Sequence, residues 1–150
     1  VSDHVFIPPQ HGGRRQPGTF IPPLLIIPFI LYNLIGFLFF GGSPEGWSQT
    51  VLSIPMVSGV SWALSAGDLM ILGSLVLLFF EMLKSTQSGR ASVLEHILST
   101  LVFVAFLVEF LLVGAAASSV FFILLIMALI DVVAGFSVSI TSAGRDVTMS

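Results

Sequence analysis

Four carboxylic acids, Asp68, Glu81, Glu109 and Asp131, lie inside or at the borders of long apolar runs. Such acids are rare, because an aspartate near the centre of a membrane helix costs roughly 2.5 kcal/mol or more. Three chemistries would justify them: neutral hydrogen-bond donors between helices, partners for cationic or polar groups of another protein, or stations on a proton or cation path. Counting about 1.5 Å per helical residue from the neighbouring turns puts Glu81 about 21 Å and Asp131 about 22 Å deep, and Glu109 about 11 Å and Asn33 about 12 Å deep. Two polar layers follow, one with Glu81 and Asp131, the other with Glu109 and Asn33. Asp131 is flanked at helical spacing by Ala128, Ala134 and Gly135, a small-residue stripe that lets another helix approach. Lys84, one turn after Glu81, reads first as half of a solvated helix-end ion pair. No Lys or Arg is expected at the depth of Glu109 or Asp131.

The elements that hold these acids follow from composition. The chain has 150 residues, 55% of them hydrophobic and 9% charged, with a mean hydropathy of +1.06. Soluble domains carry about 25% charged residues, so an ordinary soluble globule is excluded. The expected fold is all-α, an integral membrane bundle of four transmembrane helices. Its spans are at about 20–40, 67–84, 94–114 and 119–140, each near the length that crosses the hydrocarbon core. The first is apolar apart from Tyr32 and Asn33. Pro22 and Pro23 suit a first helical turn, and Pro28 predicts a kink further in. The short Gly114–Ser119 connection makes the last two spans an antiparallel pair. Arg14, Arg15, Lys84, Arg90 and Arg145 all fall on one side of this arrangement, which predicts an N-in/C-in topology. Turning Gln49 to Ala66 into a fifth span would split those charges between the two sides.

Outside the spans, residues 1–19 form a Pro/Gly-rich cytoplasmic arm in which Phe6-Ile-Pro-Pro anticipates Phe20-Ile-Pro-Pro. Arg14 and Arg15 are its candidate contacts to a partner or to lipid headgroups. The start of the sequence lacks the pattern of a cleavable signal peptide, and a bacterial inner (cytoplasmic) membrane is the expected setting. Residues 41–66 are expected as an external interfacial segment, a short helix that turns into the second span. There Trp47 and Trp62 would sit at headgroup level, with Pro55 and Gly59 breaking any continuous helix. Trp47 and Trp62 are the candidate contacts to lipid or quinone.

Other chemistries find no support in the residues. The chain has no cysteine, which removes disulfides, thiolate metal sites and iron–sulfur clusters. A net charge of −3 with five basic residues argues against nucleic acid. His4, His11 and His96 do not pair as haem ligands, no serine has a histidine placed to activate it, and no phosphate-binding or zinc-ligand spacing occurs. No enzymatic activity, metal or evident cofactor is expected, beyond a bound lipid or quinone. The expected function is that of a small integral membrane subunit that scaffolds, stabilises or regulates a larger membrane complex, such as a bioenergetic one. Its partners would be the bilayer and other integral subunits or further copies of itself. The alternatives are a small proton or cation pathway protein working through Glu109 and Asp131, and a lipid- or quinone-binding protein using the Trp47 to Trp62 segment.

Overall fold

A computed structural model describes residues 21–87 and 93–148. The N-terminal arm with Arg14 and Arg15, and Arg90 between the second and third spans, lie outside the described residues. The chain is mostly helical, with α1 Ile26–Phe40, α2 Ala66–Gln87, α3 Val93–Leu112 and α4 Ser119–Thr148. Helices α2, α3 and α4 are each long and apolar enough to cross a membrane.

Helices α1, α2 and α4 each bury about one residue per turn on one face, the pattern that drives apolar helices together, whereas α3 buries only Ser99 and Phe106. In α4 this stripe is Phe121, Leu124, Leu125, Ala128, Asp131 and Val132, and it faces both α2 and α3, so α4 is the centre of the bundle. The matching buried residues are Tyr32 and Gly36 in α1, Met70, Ser74, Leu78 and Glu81 in α2, and Ser99 and Phe106 in α3. The opposite faces carry exposed Leu, Val, Ile and Phe along their length.

The first helix is shorter than the span expected at 20–40. It starts at Ile26 and its 15 residues reach about 22 Å at 1.5 Å per residue. Pro22 and Pro23 do not form its first turn; residues 21–25 enter the bundle as an irregular segment. Pro28 therefore falls in the first turn, where its missing N–H costs nothing. At the other end Gly41 and Gly42 take positive φ values of 60° and 80°, and the Gly42 N–H closes the helix on the Gly36 carbonyl at 2.9 Å.

The segment 41–66 corrects both the all-α expectation and the interfacial helix. After a 3-10 turn at Pro44–Ser48 it forms an antiparallel hairpin, β1 Thr50–Pro55 with β2 Ser61–Ser65, in which Ile54 opposes Trp62 and Ser53 opposes Ala63. The β-branched Thr50, Val51 and Ile54, with Pro55 next in line, suit a strand better than a helix. Pro55 ends β1. Gly59, at φ 84°, makes the loop, with the Met56 N–H donating to the Val60 carbonyl at 2.9 Å. A capping box then starts α2: the Asp68 carboxylate accepts from the Ser65 N–H at 2.8 Å, while the Asp68 N–H donates to Ser65 Oγ at 3.1 Å. Asp68 is thus accounted for by helix initiation.

Helix α4 runs 30 residues to Thr148, past the expected end near 140. The connection between α3 and α4 is a single turn at Gly114–Ala116, as a short link between antiparallel neighbours requires.

Candidate functional site

The buried polar side chains gather in two layers. The layer far from the hairpin is built on α2. The Glu81 residue is 4% exposed; its Oε1 lies 2.9 Å from Lys84 Nζ and its Oε2 accepts the Leu24 backbone N–H at 3.0 Å. Lys84 Nζ also reaches the Ile21 carbonyl at 3.5 Å. The start of a helix leaves backbone N–H groups without partners and carries partial positive charge. Pro22 and Pro23 contribute no N–H, and Glu81 takes up the one that Leu24 presents just before α1. This ion pair is not the solvated one expected, because the irregular entry segment covers it.

Asp131 on α4, 6% exposed, lies in the same layer. It faces Glu81 of α2 and meets the Ser99 side chain of α3. Lys84, its side chain 20% exposed, reaches back one turn along α2 to the Glu81 carboxylate at the edge of this layer. The small-residue stripe works as a docking face. A Cβ on Gly135 would stand 2.7 Å from His96 Cε1, so the glycine lets the imidazole nest against α4, where it stacks on Phe136 at a centroid distance of 5.3 Å. No group of three His, Asp or Glu side chains able to hold a metal ion occurs among the described residues.

The layer nearer the hairpin contains Glu109 on α3 and Asn33 on α1, which line one cavity of about 550 Å³. Asn33 Nδ2 donates to the Phe29 carbonyl at 3.1 Å, and its side chain acts on the Glu109 carboxyl. Glu109 Oε1 is buried and has no hydrogen-bond partner.

Beside this pair stands a group that motif reasoning missed. Tyr32, the only tyrosine, donates its hydroxyl hydrogen to the Ala115 carbonyl at 2.9 Å and shares a 2.7 Å hydrogen bond with Ser118 Oγ. Ser118 in turn caps α4 by accepting the Phe121 N–H at 3.0 Å. The Tyr32 ring stacks on Trp47, centroids 4.5 Å apart and planes 15° apart, and meets Phe121 edge-on at 4.8 Å. The signal available in the sequence was a lone tyrosine in an apolar run, which needs a partner for its hydroxyl when buried.

The two tryptophans separate. Trp47 is buried under the hairpin, its ring a plug between α1 and the start of α2, where Gly67 leaves room for its carbonyl and for Val120. Trp62 stands exposed on β2. Comparison with protein-family models, curated proteins and solved structures returns no match.

Proposed function

We propose that this chain is a small integral membrane subunit that scaffolds or stabilises a larger membrane complex. In this reading it crosses the bilayer four times, N-in and C-in, with the hairpin outside and a bacterial cytoplasmic membrane as its setting. The observation that carries the reading is the hairpin. It has exposed Val51, Ile54, Val57, Val60 and Trp62 and only two strands, and no charged residue stands between Glu45 and Asp68. Isolated two-stranded ribbons are marginal, and uncharged apolar strand edges invite pairing with another chain. Two of the buried acids fit the same reading, since Glu81 holds the entry to α1 and Asp131 on α4 meets Ser99 of α3.

Native purification in mild detergent tests this. A particle with stoichiometric foreign subunits, which dissociates when Val57→Lys and Ile54→Lys are introduced together, is the expected result. A small homo-oligomer unaffected by those changes overturns it.

A further inference from the structure

The hairpin leaves two strand edges open, and they are not equivalent. In an antiparallel pair, residues alternate between bonding to the facing strand and turning their N–H and C=O away from it. The Met56 N–H bonds to the Val60 carbonyl across the hairpin at 2.9 Å, and with Ile54 opposite Trp62 and Leu52 opposite Leu64 this sets the phase. Ser53 and Pro55 turn their backbone groups outward on β1, and Ser61 and Ala63 do so on β2. Proline has no N–H to offer, so of these β1 residues only Ser53 presents a donor. On β2, Ser61 and Ala63 each present a donor and an acceptor, and Ser61, Trp62 and Ala63 are all exposed. This edge ends at Ser65, whose N–H is already given to the Asp68 carboxylate at 2.8 Å.

So short an edge is matched by a second copy of itself. Turning one β2 onto another about Trp62 sets Ser61 against the copy's Ala63 and Ala63 against the copy's Ser61. Every N–H that these residues turn outward then meets a carbonyl. Trp62 comes opposite the copy's Trp62, and Val60 opposite the copy's Leu64, so apolar side chains meet on one face while Ser61 and Ala63 share the other. No charged residue stands between Glu45 and Asp68, so nothing in the strand repels its copy. The charges and prolines that keep free edges apart in other sheets are missing from β2. A strand of different sequence gains no backbone bond that the copy does not supply.

We propose that β2 pairs antiparallel with β2 of a second copy about Trp62, joining two hairpins into one sheet ordered β1-β2-β2-β1. Both copies share the orientation of one bilayer, so the two-fold axis is the membrane normal and the paired strands run across it. The inference goes beyond the scaffold reading, because it needs no foreign subunit.

The chain has no cysteine, so Trp62→Cys reads the register directly. Opposed residues that exchange no backbone bond stand about 4.5 Å apart at Cα, within the roughly 4.4–6.8 Å that a disulfide spans. The full-length variant, oxidised with copper phenanthroline in its own membranes, should form a disulfide-linked dimer about tenfold faster than Ser53→Cys or Val57→Cys, because a standing pair replaces chance encounter. Those two positions are also exposed, but lie on the β1 edge and in the loop. Adding Ala63→Pro to Trp62→Cys takes one outward N–H from each copy and leaves the bonds between β1 and β2 in place. It should lower the cross-link about tenfold, whereas Ser53→Pro leaves it unchanged. Retention of the near-ultraviolet signal of the Tyr32–Trp47 stack shows that each variant is folded. A cross-link formed by the chain purified free of foreign subunits supports the pairing even though it counts against the scaffold. Equal cross-linking at all these positions, or indifference to Ala63→Pro, would mean random collision and overturns the proposal. Cross-linking to a foreign chain in place of the homodimer also overturns it, in favour of strand addition by another protein.

Discussion

The Glu81 carboxylate accepts the backbone N–H of Leu24, 57 residues earlier in the chain. One acid on α2 thereby closes the N-terminal entry of α1 and neutralises Lys84. Replacing Glu81 with Leu leaves a buried cation and an unsatisfied N–H together, for a loss of about 3 kcal/mol, the low end for breaking a buried pair because Lys84 keeps some access to solvent. Glu81→Gln retains an acceptor for Leu24 and loses about half as much. Equilibrium unfolding in mixed micelles measures both, and equal losses would refute a capping role.

The Tyr32 hydroxyl ties α1 to the turn between α3 and α4. Tyr32→Phe should cost about 1 kcal/mol, within the range for hydrogen bonds inside membrane proteins. Trp47→Ala removes the ring that stacks on it and should cost about 3–5 kcal/mol, as other large-to-small aromatic changes do. If the same unfolding assay ranked Tyr32→Phe above Trp47→Ala, the plug description of Trp47 would fail.

Glycines on the helices differ in what a side chain would meet. Gly135→Val drives a branched side chain into His96 and should destabilise by roughly 1–3 kcal/mol. Gly73 has open space where a Cβ would stand, so Gly73→Ala should be neutral or stabilise by up to about 1 kcal/mol through helix propensity. Thermal denaturation of the pair checks the contrast.

The two tryptophans report on the hairpin separately. With Trp47→Phe, emission comes from Trp62 alone and should be quenched by acrylamide or by brominated lipid. With Trp62→Phe, the buried Trp47 remains, and its emission should be blue-shifted and protected. Equal quenching of the two variants would mean that the hairpin does not stand off the bundle.

Because the chain has no cysteine, single cysteines read topology without background. Val57→Cys in the hairpin loop and Arg145→Cys near the end of α4 should be labelled by a membrane-impermeant maleimide from opposite faces of sealed vesicles. Labelling of both from one face would refute the four-span arrangement, whose sidedness rests on the positive charges.

Composition and periodicity alone determined the helical class and the limits of α2 and α3 to within a few residues, because long apolar runs bounded by Lys84 or by a glycine turn have few other ways to fold. Helix depth, counted at 1.5 Å per residue, was enough to place Glu81 level with Asp131 and Asn33 level with Glu109. Tertiary contacts decided the rest. The hairpin is not legible in the sequence because β1 is exposed on both faces and carries no polar–apolar alternation, and two short strands are specified by pairing with each other more than by their own pattern. The late start of α1 and the pairing of Lys84 depend on Glu81 meeting Leu24 across the bundle, and the fate of Trp47 depends on where Tyr32 stands. Such relations join residues far apart in sequence, where no local spacing rule reaches.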